Sequence, residues 1–260
     1  MVNIVQNAEL IMQHSGAVAA AAIPIAMLNL SAETQQQLNT KLTNAKTAFI
    51  AAFPYYRDIG HAHIARYAWG QDYIPALRFR MSAAREALAS TYENYNFTVL
   101  ANGYPLPIVK AARLSGLCLT GRNGLAILPS YGSYIFLSAI VTNMPLNIQP
   151  RSAGFCHDCD IESCGCPTGA LQFDPVKGTK LDHEKCLSFI SQSRHSTQEQ
   201  LQLLELSSSL YGCDLCQINC PYNTNPKESP YPEFQPMKMP NVRRPELLER
   251  NAKYAKGETP

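Results

Sequence analysis

The chain has 260 residues, of which 46% are hydrophobic, 16% charged and 9% aromatic, and it carries a net charge of +2. That is enough apolar material for one or two domains with a sizeable core, and it excludes a disordered chain. With 22 basic against 20 acidic residues, there is no strong electrostatic case for nucleic acid. Nine cysteines are too many for an ordinary enzyme and too few for a disulfide scaffold of this size.

Near the N-terminus, residues 17–28 form an apolar, Ala-rich stretch. No Lys or Arg precedes Lys41, Glu9 stands before the stretch and Pro24 interrupts it. A signal peptide needs a basic leading region, and a spanning helix needs about 20 apolar residues. The expectation is a soluble, cytoplasmic protein, and in a reducing compartment clustered cysteines point to metal rather than disulfides.

In chain order, residues 8–13 read as helix and 18–23 as a short strand. Residues 32–42 are polar with Leu38 and Leu42 four apart, which suits an amphipathic helix. Residues 47–53 read as a buried strand. The clearest helix covers residues 74–90, where Leu77, Met81, Ala84 and Leu88 recur at three- and four-residue spacing. A strand over 97–101 and a helix over 108–114 follow. Residues 125–128 and 134–142 read as a hairpin around a turn at 129–133. Strands alternating with helices predict an α/β domain over residues 1–150. Residues 151–226 are short, turn-rich and cysteine-dense, with a Leu-rich helical pattern over 197–211. Residues 227–260 are Pro-rich and read as an extended tail along the surface.

All cysteines but Cys118 fall between Cys156 and Cys220. The first group is Cys156-His-Asp-Cys159-Asp-Ile-Glu162-Ser-Cys164-Gly-Cys166-Pro167. The second is Cys213-Asp-Leu-Cys216-Gln-Ile-Asn-Cys220-Pro221, with Cys186 between the two. A cubane iron–sulfur cluster needs four thiolates, and in two-cluster ferredoxins the cysteine before proline ligates the other cluster. That rule assigns Cys156, Cys159 and Cys220 to one 4Fe–4S cluster, and Cys166, Cys186, Cys213 and Cys216 to the second. The usual spacing would place the missing ligand at position 162, which holds Glu162. Cys164 brings the count to eight and is assigned to the first cluster. The alternatives are a three-cysteine cluster with an open or carboxylate-bound iron, or a lost first cluster. Structural zinc rarely shows two Cys-Pro endings in this layout. Cys118 reads as a small buried hydrophobe.

These motifs, with Thr168-Gly169-Ala170 after Cys166-Pro167 and Leu181-Asp182 ahead of Cys186, resemble the epoxyqueuosine reductase family. Upstream, Ile64-Ala65-Arg66-Tyr67-Ala68 with Asp72-Tyr73, the Gly121-Arg122-Asn123 turn, and Gly132-Ser133-Tyr134 through Pro145-Leu146 resemble further motifs of that family. The resemblance covers roughly residues 46–223. It implies an N-terminal α/β domain holding base-off cobalamin, followed by a small ferredoxin-like double-cluster module, a layout shared with reductive dehalogenases. It also implies reduction of the epoxide of a modified tRNA base, electrons from a reduced ferredoxin or flavodoxin-type donor, and no membrane. Arg66, Tyr67, Gly121 and Arg122 are the residues it places near the corrinoid or substrate.

Two departures bear on the substrate. Asn102-Gly103-Tyr104-Pro105 stands where the family carries its proposed proton-donating acid, and an amide supplies no proton at neutral pH. Asn102 and Tyr104 are the candidate catalytic pair, Tyr104 being the nearby hydroxyl. The chain also ends about where the family often adds a helical-repeat region that assists tRNA contact. Three readings therefore stand side by side: a corrinoid and iron–sulfur reductase, its substrate open to divergence; a ferredoxin-like electron-transfer protein without its own catalytic site; and a degenerate family member whose clusters are structural.

Overall fold

The computed structural model describes residues 4–58, 64–149, 151–157, 160, 164–174, 176–193, 195–207 and 210–236. Its centre is a four-stranded sheet of β1 (Ala19–Pro24), β2 (Thr47–Pro54), β6 (Ile135–Thr142) and β3 (Phe97–Leu100), in the order β1-β2-β6-β3. Every neighbouring pair runs antiparallel. Strand β2 is buried along its whole length, and its side chains alternate between two cores. Phe49, Ala51 and Phe53 face one, and Ala48, Ile50 and Ala52 the other.

Helices cover both faces. On the first, α1 (Ile4–His14) contributes Ala8 and Met12, and α3 (Tyr73–Thr91) contributes Leu77, Met81, Ala84 and Leu88. On the second lie α2 (Ala32–Lys41), with Leu38, and α4 (Ile108–Leu114), with Ala111 and Ala112. Local chemistry starts these helices. Ser31 accepts the Thr34 amide at 3.2 Å to cap α2, and Asp72 accepts the Ile74 amide at 2.9 Å to cap α3. The result is a mixed α/β fold of three layers.

Two expected elements differ. The hairpin of residues 125–128 with 134–142 does not form, because both edges of β6 are taken by β2 and β3. Instead β5 (Ala126–Ile127) pairs with β4 (Leu119–Thr120), and a lone bridge between Leu128 and Gly132 closes the turn. The helix expected over 197–211 begins at a Thr197–Gln200 capping box as α6 (Gln198–Leu203). It tightens into a 3-10 turn and ends at Ser207, which is extended.

The cysteine-rich segment adds the hairpin of β7 (Leu171–Asp174) and β8 (Gly178–Leu181), helix α5 (Leu187–Gln192) and the single turn α7 (Leu215–Ile218). Residues 227–236 do not lie loosely on the surface. They strap across the α1/α3 side, where Tyr231 and Phe234 are buried in the first core. Arg80 holds the strap by a paired ion bond to Glu233, with its second contact at 3.0 Å, and lies over the Tyr231 ring at 4.3 Å. The rest of the expected tail, 237–260, lies outside the described residues. Among the described residues no helix is long and apolar enough to cross a membrane.

Candidate active site

A cavity of about 880 Å³ opens between the end of the sheet and the cysteine-rich segment. One wall is aromatic: Tyr73 stacks on Phe136 at 4.4 Å, and Tyr55 lies 4.4 Å from the same ring. The facing wall carries Cys166, Cys186, Cys213 and Cys216. No lysine or arginine lines the cavity among the described residues, and Asp72 is its one carboxylate. A largely apolar enclosure with a few directed polar groups suits a large organic cofactor or substrate.

The four cysteines on that wall form one electrostatic neighbourhood. Burial first, and then Asp214, Cys186 and Cys166, push the Cys213 thiol up to about 11, against the Leu215 backbone N–H. Cys216 is pushed up as well, by burial first and then by Cys213, Cys164, Cys186 and Cys166. Cys166 moves the other way. Burial acts against its thiolate, but the Thr168 hydroxyl and the backbone N–H groups of Thr168, Ala170 and Leu171 outweigh it. A sulfur surrounded by backbone amides has the surroundings of a cluster thiolate. Among the described residues no three His, Cys, Asp or Glu side chains gather as ligands of a single metal ion.

Cys156 and Cys220 sit apart from this wall, packed together with Ile127. The Arg122 backbone N–H donates to Cys156 Sγ at 3.2 Å. Cys164 is buried. Cys159 and Glu162 lie outside the described residues. Four of the described cysteines thus stand on the cavity wall and Cys156 and Cys220 form a pair off it, while Cys164 lies near enough to Cys216 to act on its thiol. Cys118 is buried in the second core, and burial pushes its thiol up to about 12.

Of the other expected site residues, Tyr67 and Asn102 line the cavity. The Tyr67 hydroxyl is buried without a hydrogen bond of good geometry, with Ser188 as the polar group beside it. That orphaned hydroxyl is the kind of group a bound cofactor would satisfy. Asn102 Oδ1 accepts the Tyr104 amide at 3.2 Å. Tyr104 itself is exposed and is not on the cavity wall. Arg66 lies outside the cavity, its guanidinium 5.0–5.6 Å from the rings of Tyr56, Trp69 and Tyr134. Gly121 and Arg122 stand at Cys156 rather than at the cavity, with the Arg122 guanidinium over the Phe173 ring at 4.7 Å.

The sequence reading assigned no role to the buried polar seam that joins the two halves. Gln217 Oε1 accepts Ser133 Oγ at 2.9 Å and Tyr55 Oη at 3.3 Å, while its Nε2 donates to Asp214 Oδ1 at 2.9 Å. Asn223 Nδ2 donates to Ser133 Oγ and to the Gln217 carbonyl, and its Oδ1 accepts the Ser133 amide. Asp214 Oδ2 also accepts the Arg66 amide at 2.6 Å. Burial pushes the Asp214 carboxyl up, opposed by Arg66 and Gln217. The available signal was adjacency: Asp214 and Gln217 each flank a cysteine.

No family model matches the chain. The epoxyqueuosine reductase of Lactococcus garvieae is 34% identical over 185 residues, which are 71% of this chain and 50% of that protein. This chain thus spans about half the length of the curated relatives it matches. An epoxyqueuosine reductase solved with an epoxyqueuosine-modified tRNA stem loop superposes with a TM-score of 0.71 at 22% identity, covering 90% of this chain and 70% of that one. A catabolic reductive dehalogenase shares the fold at a TM-score of 0.50 and 14% identity, over 97% of this chain and 34% of its own. By sequence the chain is a homologue of the curated epoxyqueuosine reductases over about half their length, and it shares the fold of the solved ones.

Proposed function

We propose that the chain is an iron–sulfur, cobalamin-dependent reductase of the epoxyqueuosine type. The observation that carries this reading is the cavity itself, with four cysteines on one wall and an aromatic, largely uncharged lining opposite. Cys166, Cys186, Cys213 and Cys216 would hold one 4Fe–4S cluster at that wall. Cys156, Cys159 and Cys220, completed by Cys164, would hold the other behind it. Cobalamin, when bound base-off, supplies a low-valent metal for reductions that no side chain can perform.

The chain's own residues do the rest. The Tyr55, Tyr73 and Phe136 rings exclude water and offer flat surfaces to a macrocycle. Tyr67 offers an unsatisfied hydroxyl, and Asn102 offers an amide N–H, since its oxygen is committed to Tyr104. The proposed substrate is the epoxide-bearing base of a tRNA anticodon stem loop, which places the protein in the cytoplasm. The proposed electron source is a reduced ferredoxin or flavodoxin.

The second reading, an electron carrier without a catalytic site, is favoured by one observation: the amide of Asn102 on the cavity wall. Iron and cobalt content after anaerobic purification and incubation with cobalamin separates the two. About eight iron per chain follows from two cubanes. Eight iron with one cobalt supports the reductase, whereas eight iron with no cobalt leaves the carrier.

A further inference from the structure

We infer that Gln217 is a positioning residue that, together with Asn123, fixes the Cys216 corner of the cavity-side cluster against the cavity wall. The inference deepens the proposed function and rests on its assignment of Cys213 and Cys216 as cluster ligands. Helix α7 is a single turn of four residues, too short to hold its own orientation. Its placement must therefore come from side chains. Gln217 is buried, and its amide is held by partners from three places: Ser133 ahead of β6, Tyr55 at the end of β2, and Asp214 beside Cys213. On the other side, Asn123 Nδ2 donates to the Cys216 carbonyl at 3.0 Å, while its Oδ1 accepts the Leu125 amide at 3.2 Å.

Cys216 is thus gripped from both flanks by residues that themselves line the cavity. Displacing it means breaking several buried hydrogen bonds together, and a shared buried network resists that more than its separate members would. Electron delivery into the cavity depends on a fixed separation between the cluster and whatever occupies the cavity. This seam fixes that separation.

The test uses the full chain, purified anaerobically, with Gln217→Met as the main variant. Methionine preserves length and removes all three side-chain hydrogen bonds. Ser133→Ala, which removes one of the three together with the bond that Asn223 Nδ2 donates to Ser133 Oγ, guards against a failure of Gln217→Met to fold. Two readouts are taken at matched iron content: the electron paramagnetic resonance spectrum of the reduced clusters, and the single-turnover rate of electron transfer from them to added cob(II)alamin. Positioning predicts retained iron, an altered cluster spectrum and a transfer rate at least about tenfold lower in Gln217→Met. Ser133→Ala should shift both readouts in the same direction by less. A wild-type spectrum and rate in a variant that keeps its iron would overturn the inference, and so would loss of iron from Ser133→Ala. If the wild-type chain takes up no cobalamin, the proposed function fails, while the spectra still decide the role of Gln217.

Discussion

Replacing Phe234 with alanine tests whether the strap of residues 227–236 belongs to the fold or merely lies on it. Phe234 is 4% exposed, meets the Phe136 ring edge-on at 5.1 Å and the Tyr231 ring at 5.7 Å. Core Phe→Ala substitutions cost about 3–5 kcal/mol, and each such aromatic contact carries about 0.5–1.5 kcal/mol of that. Both contacts are lost here, so the upper half of the range is expected. The effect should reach the cavity as well. Phe136 is on its wall, and the Gln71 amide, on the same wall, donates to the Glu233 carbonyl at 2.9 Å. The assay is urea unfolding of Phe234→Ala beside Phe79→Ala, which changes a ring that is 82% exposed and should move stability by no more than about 0.5 kcal/mol. The midpoint for Phe234→Ala should fall well below that control with an unchanged slope. Equal midpoints for the two variants would refute the reasoning, because a buried anchor and an exposed ring would then weigh the same.

Three further outcomes follow from single sites. Hydrogen bonding to Arg80 holds the Glu233 carboxyl below its ordinary value of 4.5, so its contribution is complete above that value and fades as pH falls through the lowered one. Acid titration of stability should lose this component in Glu233→Gln, and an unchanged acid limb would count against the pairing. Gly132 has φ +63° and a Cβ there would overlap the Asn223 side-chain oxygen, whereas a Cβ at Gly124, φ +79°, would meet only the Thr179 side chain at 3.5 and 3.6 Å. Gly124→Ala should therefore cost only the left-handed strain of about 1–2 kcal/mol, and Gly132→Ala clearly more in the same denaturation assay. Cys164→Ser should remove one cluster's worth of iron. Unchanged iron would assign the fourth corner of the first cluster to Glu162 or solvent.

The parts of the fold with a clean period were legible from sequence. Leu77, Met81, Ala84 and Leu88 make the buried stripe of α3, and the apolar runs of β2 and β6 are strands with both faces covered. Pairing was not legible, because periodicity marks a strand without naming its partner. Residues 126–127 therefore went to β4, once β6 had found β2 and β3. The strap was hidden by its composition. Prolines signal an extended chain, and an extended chain can still bury Tyr231 against Phe53 and Phe234 against Phe136. The cysteine motifs were visible because their spacing is a local feature of the sequence. The cavity was not, since its wall gathers residues from Tyr55 to Gln217. Gly121 and Arg122 show the difference. Their motif was recognisable, but only the turn's geometry reveals a backbone N–H aimed at Cys156.

Asn102 sets the sharpest limit on the proposed epoxide reduction. Removing an epoxide oxygen as water and leaving a double bond takes two electrons and two protons. Clusters deliver electrons only, so the protons must come from a titratable group or from water. Asn102 can offer neither, because its oxygen is bound to the Tyr104 amide and its N–H groups do not ionise at neutral pH. Asp72, the one carboxylate on the wall among the described residues, caps α3 through the Ile74 amide. Asn102→Asp would keep one oxygen on the Tyr104 amide and place the second, titratable, at the cavity. A positioned general acid contributes about 10²–10⁴-fold. Turnover of an epoxyqueuosine-bearing stem loop by the cobalamin-loaded variant should therefore rise by about 10²-fold or more. The gain should fade at high pH, as the new carboxyl loses the proton it must give. An equal rate in variant and parent, with cobalamin bound in both, would show that the proton enters elsewhere. The tyrosine hydroxyls of the wall would then be the groups to replace, beginning with Tyr67.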